Sequence, residues 1–196
     1  MNSNVAIGLR AKTGRAIAVV IGGASDAPVV LAKTEIKLVD PKIPQTAQPY
    51  HVVMELPWEE SQRAVRKYAR AIEKVAKKAL ADLINQQRSA GMKVRAVGIV
   101  GAPDHDLARI GNFHIRAHAA EGVLFRNVLN LAADANGLKW RIFPDKDFER
   151  SVTAELGSRT ARIRKQISEL GRVVPAPWRA DEKQAATAAW MMLHAL

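Results

Sequence analysis

The hydrophobic positions at the start of the chain follow the pattern of β-strands. Residues 5–9 and 15–22 are apolar runs rich in β-branched side chains, and a short polar segment that ends at Gly14 separates them. Because glycine readily adopts the positive φ of a hairpin turn, the two runs are predicted to pair as antiparallel strands. Residues 29–39 follow a second turn, and their hydrophobic and polar side chains alternate late in the run. The pattern therefore predicts a three-stranded antiparallel start.

A helical period replaces the strand pattern after residue 57. Apolar side chains recur every three or four positions at Val65, Tyr68, Ile72, Val75, Ala79 and Leu83. Glu59 and Glu60 lie at the positive end of the predicted helix and Gly91 ends it, so residues 58–90 are predicted to form one long amphipathic helix. Residues 94–100 form a short β-branched run that is typical of a buried parallel strand. A helix followed by such a strand predicts a crossover unit.

The rest of the chain completes an alternation of strands and helices. Residues 40–57 contain four prolines and no clear period, which predicts an irregular connection with a short strand at 51–54. Residues 106–135 are predicted to form a helix interrupted at Gly111 and Gly122, and residues 138–143 a strand. A helical segment broken at Gly157 is predicted over residues 147–171, and a final helix over residues 178–196. The order βββαβαβα predicts an α/β fold with a mixed sheet of about five strands and helices on both faces.

Composition narrows the class of protein. The chain has 196 residues, of which 48% are hydrophobic, so a single domain over residues 1–196 is expected. The absence of cysteine excludes disulfides and thiolate metal sites and favours a reducing, cytoplasmic location. The N-terminus lacks the charged-then-apolar order of a signal peptide, and no apolar run approaches ~18 residues, so no membrane association is expected. The net charge of +11 predicts attraction to polyanions, of which nucleic acid is the usual one.

Several segments in the second half of the chain match a known superfamily. They are VRAVGIV in the predicted fourth strand, AHAAEGVLF in the next helix, LKWRIF in the last strand, SRTARIRKQISEL in a basic helix and RADEKQAATAAW in the final helix. By these segments residues 94–196 resemble the RuvC-like, Holliday-junction-resolvase-like branch of the ribonuclease H superfamily. The resemblance implies a ribonuclease H-like sheet. It also implies two divalent metals, held for phosphodiester cleavage by acids of the first strand, the fourth strand and the last helix.

Most of the acids that this resemblance implies are missing. The first strand contains no acid and is followed by Lys12, and Val100 stands near the usual glutamate position of the fourth strand. In the last helix Asp181 matches the first of two acids, but Gln184 stands where the second is expected. Because Mg²⁺ requires several oxygen ligands, we predict a pseudoenzyme with no cofactor that binds nucleic acid without cleaving it.

Two groups of basic residues are candidates for contact with phosphate. The nucleic-acid-binding candidates are a row on the long helix, Arg63, Lys67, Arg70, Lys74 and Lys77, and a cluster on the penultimate helix, Arg159, Arg162 and Lys165. The row lies opposite the apolar positions of its helix. An ordinary solvated surface is the competing interpretation. Because aromatic residues make up only 5% of the chain, base stacking has little support and binding is expected to tolerate any sequence.

Two other functions stay open on the sequence alone. A divergent, resolvase-type nuclease would rebuild a catalytic Mg²⁺ or Mn²⁺ site from Asp104, Asp106, Asp181 and Glu182. A protein-interaction scaffold would use its charge only for solubility. The simpler interpretation of Asp181 and Glu182 is the capped start of a core helix, and that of Asp104 and Asp106 is a turn followed by a helix cap.

A further spacing, H-x3-H-x2-E, is formed by His114, His118 and Glu121. On a helix it places two imidazoles and a carboxylate on one face, which suits a single metal ion. The spacing is common by chance, and no fourth ligand is visible in the sequence. Surface or lightly buried histidines are therefore the preferred interpretation, and no metal site is predicted.

Overall fold

Five strands form one mixed sheet in a computed structural model, which describes residues 3–194. They are β1 (Asn4–Lys12), β2 (Arg15–Ala24), β3 (Ala27–Lys37), β4 (Lys93–Gly101) and β5 (Lys139–Pro144). The order in the sheet is β3-β2-β1-β4-β5. Strand β2 is antiparallel to its neighbours β1 and β3, and β4 is parallel to its neighbours β1 and β5. The predicted α/β fold, with a central first strand and a parallel fourth strand beside it, is confirmed.

Helices cover both faces of this sheet. They are α1 (Trp58–Ser89), α2 (Phe113–Ala135), α3 (Phe148–Leu156), α4 (Thr160–Glu169) and α5 (Ala180–His194). Helices α1 and α2 pack on one face around Ile72 and Leu129, and α3 to α5 pack on the other around Phe148 and Trp190. No helix within residues 3–194 is long and apolar enough to cross a membrane. The end of the last helix, predicted at residue 196, lies outside the described residues.

Helix α1 presents one apolar side to the sheet. Val65, Ile72 and Leu83 are buried there, as their spacing predicts. The spacing also predicts burial of Tyr68 and Val75, but both are only half-buried. They are rotated roughly 60–80° about the helix axis from the line of Val65 and Ile72, which places them at the margin of the contact.

Helix α5 lies directly on the two central strands, and two glycines permit this approach. A Cβ atom at Gly8 of β1 would lie 1.7 Å from the carbonyl oxygen of Ala185, and one at Gly98 of β4 would lie 2.7 Å from that of Ala188. Only a position without a side chain fits such a contact. The small residues of α5 complete the close packing. As a result, the start of α5 lies at the end of β1.

Two local predictions are wrong. The strand expected at 51–54 is a 3-10 helix, His51–Val53, because this segment lies against α1 and α2, where no strand edge is available for pairing. The interruption expected at Gly122 does not occur, and α2 continues through it. A Cβ atom at Gly122 would lie 2.9 Å from that of Ala102, so the glycine permits a close approach between the helix and the loop after β4. The break at Gly157, where φ is 53°, is confirmed.

Candidate functional site

The parallel strands β1, β4 and β5 end at the same edge of the sheet, and α5 begins there. Open α/β sheets bind ligands at this edge. Four charged side chains meet at it: Arg10 and Lys12 on β1, Asp145 directly after β5, and Asp181 in the first turn of α5. We call these four residues the Arg10 network.

The Arg10 network is held together by ion pairs to both carboxylates. Arg10 Nε donates to Asp181 Oδ1 at 3.3 Å, and Arg10 Nη2 donates to Asp145 Oδ2 at 3.2 Å. Lys12 Nζ lies 2.9 Å from the same Oδ1 atom of Asp181. The guanidinium is largely buried, with 12% of the Arg10 side chain exposed. Two cations therefore neutralise the acid that the sequence resemblance singles out.

The surroundings of Asp181 keep it ionised. Partial burial by itself raises the pKa of its carboxyl group, but the hydrogen bond and charge of Lys12, together with the charge of Arg10, outweigh burial and lower the pKa below its ordinary value. The carboxylate is thus paired with protein cations over the whole neutral range. A metal ion would have to displace them or share the oxygen with them.

The pairing of Asp181 should make stability sensitive to acid. Because its pKa is lowered on folding, its ion pairs stabilise the protein above the unfolded value of about 3.9, and this contribution is lost as pH falls through the lower folded value. We expect the parent to lose about 1 kcal/mol more unfolding free energy between about pH 6 and pH 3 than Asp181→Asn protein does, by urea denaturation. Asp106→Asn, which removes a surface ion pair, should behave like the parent. Equal losses in the parent and in Asp181→Asn protein would contradict this role.

Glu182 has a structural contact at the start of the same helix. Its side chain is buried, and Oε2 accepts a hydrogen bond from the backbone N–H of Arg179 at 2.8 Å. Arg179 directly precedes α5 and Glu182 is its third residue, so the contact is the glutamate half of a capping box. The structure therefore gives Glu182 the role of a helix-capping residue.

The other two acids of the nuclease hypothesis are exposed and paired elsewhere. Asp104 Oδ1 accepts from Nη2 of the buried Arg126 at 2.6 Å, and Asp106 pairs with Arg109 at 3.0 Å. In the part of the chain that the structure describes, neither belongs to a set of three groups able to converge on one metal ion, nor does Asp181. The four acids are therefore placed in separate local contacts.

The predicted basic row lies on the exposed side of α1. Arg63, Lys67, Arg70 and Lys74 are exposed, and none of the four has a carboxylate within 4.0 Å among residues 3–194. Lys77, the fifth candidate, pairs with Glu73 at 2.5 Å. We call the first four residues the α1 basic row. Beside it is an open cleft of about 410 Å³, lined mainly by Arg63, Arg66, Lys67, Tyr68 and Arg70.

The second basic cluster lies in the other helix layer. Arg159, Arg162 and Lys165 are exposed at the start of α4 and along it. Since α4 packs on the face of the sheet opposite to α1, the two groups do not share one helix layer. Each group can therefore be tested as a separate surface.

Sequence reasoning missed three residues that tertiary contacts bring into clusters of polar side chains. Arg10 and Asp145 are 135 residues apart in the chain and meet at the sheet edge. His51 comes from the Pro-rich connection and lies against His114 and His118 of α2, with ring centroids 5.1 and 4.4 Å away. The only sequence feature that points to the Arg10 network is the arginine itself, a cation placed directly after the apolar run of β1. No local pattern connects His51 to α2.

The sheet order, the crossover through α1 and the contact of α5 with β1 give this chain the ribonuclease H-like fold in its RuvC-like form. It is similar to two solved structures of RuvC from Thermus thermophilus. One, described as RuvC in complex with Holliday junction substrate, is 12% identical with a TM-score of 0.52, covering 95% of this chain and 90% of that chain. The other is 11% identical with a TM-score of 0.52, covering 95% and 91%. No protein-family model and no curated protein matches the sequence, so the likeness establishes the fold alone.

Proposed function

We propose that this protein binds nucleic acid through the α1 basic row and does not cleave it. The proposal depends above all on one observation: four exposed cations, Arg63, Lys67, Arg70 and Lys74, follow one side of α1, and within the described residues none has a carboxylate partner. Such groups are free to form charge-assisted hydrogen bonds with phosphate oxygens. The net charge of +11 adds a long-range attraction for the same ligand.

The length of the α1 basic row suits a nucleic-acid backbone. At 1.5 Å per residue, the distance along the helix from Arg63 to Lys74 is roughly 16 Å, which corresponds to about five nucleotides of a strand at 3.4 Å each. One aromatic ring accompanies the row, Tyr68, and the ammonium of Lys67 lies 4.8 Å from its centroid. A surface of cations with a single ring favours contact with the backbone over readout of bases. We therefore propose binding that tolerates any sequence.

The absence of cleavage is inferred from the Arg10 network. In the superfamily that the sequence resembles, carboxylates of three elements surround two metal ions. Here β1 contributes Arg10 and Lys12, both within 3.3 Å of Asp181 Oδ1. Two fixed cations at this oxygen oppose the binding of divalent metal by direct charge repulsion. The protein is accordingly proposed to act without Mg²⁺ or Mn²⁺.

The purified protein should not cleave phosphodiesters above background in Mg²⁺ or Mn²⁺. Because one of the solved RuvC structures contains a Holliday junction, a four-way junction is the first substrate to test, followed by double- and single-stranded DNA and RNA. Binding should be seen by gel shift at low salt, and Asp181→Asn protein should bind as the parent does. Metal-dependent cleavage that disappears in Asp181→Asn protein would overturn the proposal. No binding at low salt would favour the scaffold hypothesis.

A divergent nuclease is the second candidate, and one observation favours it. Asp145 and Asp181 both pair with the guanidinium of Arg10, so two carboxylates meet one cation at the edge where open α/β sheets bind ligands. If a bound substrate drew both Arg10 and Lys12 towards a phosphate, the carboxylates of Asp145 and Asp181 would be released for a metal ion. In that case Asp145→Asn and Asp181→Asn would each abolish cleavage of the four-way junction, and Asp104→Asn would not.

A further inference from the structure

The first turns of α2 place two imidazoles beside a third from the Pro-rich connection. His114 and His118 are four residues apart and lie on the same side of α2, whose start is fixed by Asn112 Oδ1 accepting from the backbone N–H of Ile115 at 2.9 Å. Their ring centroids are 4.5 Å apart. His51 completes the group, and one ring nitrogen from each of the three histidines lies within 4.8 Å of the others.

A buried carboxylate determines the orientation of the third imidazole. Glu121 is fully buried, and its Oε1 lies 2.8 Å from His51 Nδ1 and 3.3 Å from the backbone nitrogen of His51. Because a carboxylate accepts hydrogen bonds, Nδ1 is the donor in this contact, and Nε2 is the ring nitrogen left to bind another group. Histidines that bind a metal through one ring nitrogen commonly donate a hydrogen bond from the other nitrogen to a carboxylate, which fixes the orientation of the ring.

Two buried atoms at this place have no partner among the described residues. They are His51 Nε2 and Glu121 Oε2. Among the described residues no Lys or Arg nitrogen lies within 4.0 Å of the Glu121 carboxylate, whose contact there is His51. A buried lone pair and a buried, weakly compensated carboxylate are unfavourable unless another group satisfies them. A cation bound at Nε2 would satisfy the first and compensate the charge of the second.

We propose that His51, His114 and His118 bind one divalent transition-metal ion of the Zn²⁺ type, with Glu121 as a positioning residue. Three imidazoles suit Zn²⁺, Ni²⁺ or Cu²⁺ and do not suit Mg²⁺, which prefers oxygen ligands. His114 and His118 are exposed, so the ion retains a position open to water or to a ligand. This site is separate from the Arg10 network and does not depend on the proposed function.

The geometry requires only a small adjustment. Zn–N bonds of about 2.0–2.1 Å in a tetrahedral site place the nitrogen atoms roughly 3.4 Å apart. Nitrogens now up to 4.8 Å apart therefore have to approach by about 1.4 Å at most. The exposed rings of His114 and His118 can rotate to do this, while Glu121 holds His51 in place.

The test is a titration of the full chain, stripped by a chelator, with ZnCl₂ in a calorimeter. We expect one equivalent to bind and MgCl₂ not to compete. His118→Ala should weaken binding at least about tenfold, and His51→Ala and His114→Ala should do the same. His105→Ala is the matched control, because His105 is an exposed histidine outside the group, and it should bind Zn²⁺ as the parent does.

Two further measurements separate a built site from general binding of metal to histidines. Glu121→Gln keeps the shape of the side chain but removes its charge, so it should weaken Zn²⁺ binding about tenfold to a hundredfold while the Co²⁺-loaded protein keeps the absorption of a tetrahedral site. Circular dichroism verifies that each variant is folded. If a variant at His51 or Glu121 fails to fold, His118→Ala still tests the site, because His118 is exposed and its replacement removes no core contact. Binding that is unchanged in His118→Ala protein, or weakened equally in His105→Ala protein, would overturn the proposal.

Discussion

Changing Lys67, Arg70 and Lys74 together to glutamate should nearly abolish binding of nucleic acid and leave the fold intact. All three side chains are exposed on the side of α1 that faces away from the buried Ile72, so the substitutions remove no core contact. Each lost phosphate contact lowers the salt slope, the change of log binding constant with log salt concentration, by roughly one unit. We therefore expect a slope smaller by about three units, together with repulsion from the new carboxylates. Gel shift or fluorescence anisotropy at several salt concentrations gives both values.

A second triple variant makes the test specific to one surface. Arg159, Arg162 and Lys165 lie in the opposite helix layer, and changing them to glutamate alters the net charge by the same amount. If α1 is the contact surface, this variant should keep most of its affinity and most of its salt slope. Equal losses in the two variants would mean that net charge alone controls binding. Binding by the α1 variant at the parent's level would show that the α1 basic row is only a solvated surface.

Ile72→Asp should unfold most of the protein. Ile72 is fully buried between α1 and the sheet, and it lies in the same core as Leu9 of β1 and Leu129 of α2. An aspartate there would place an unpaired charge among apolar side chains, at a cost of several kcal/mol. That is comparable to the whole stability of a typical domain, about 5–15 kcal/mol. Loss of the cooperative urea transition, or a large shift of its midpoint, is the expected measurement.

Asn85→Asp is the matched control for this substitution. Asn85 lies on the same helix and is exposed, so the same carboxylate is added without burial. Its effect on the free energy of unfolding should be within about 0.5 kcal/mol. A parent-like urea midpoint for Ile72→Asp would mean that this side of α1 does not form the core. An equal loss in both variants would attribute the effect to charge on the helix and not to burial.

Regular periods in the sequence predicted the main elements because each period reflects one packed surface. The three- and four-residue spacing around Ile72 predicted α1 to within a residue of its observed end. The apolar run at 94–100 lies within β4, which is parallel to β1. Residues beside the main contact were harder to place, and Tyr68 and Val75 are half-buried for that reason. Periodicity reports the direction of a side chain but not the width of the surface that covers it.

The sequence predicts the role of a glycine correctly where the backbone turns. It predicts that role wrongly where another element packs closely against the glycine. Gly157 has a positive φ and separates α3 from α4, as predicted. Gly122 continues α2, because its role is to let Ala102 approach. Gly8 permits β1 to approach α5, since a Cβ atom there would lie 1.7 Å from the carbonyl oxygen of Ala185. A glycine that permits close packing cannot be distinguished from one that permits a turn until the neighbouring element is known.

The sequence by itself determined the main strands and helices of this protein, its basic charge and its resemblance to a RuvC-like fold, because these depend on composition and local period. Only the tertiary structure decided which side chains meet. Asp181 matches a family acid in sequence, but folding places it against Arg10 and Lys12. His51 became a neighbour of His118 through a connection with no period at all. The residues in each of these contacts lie more than sixty positions apart in the chain. Such contacts depend on how the elements pack together, which no local sequence pattern encodes.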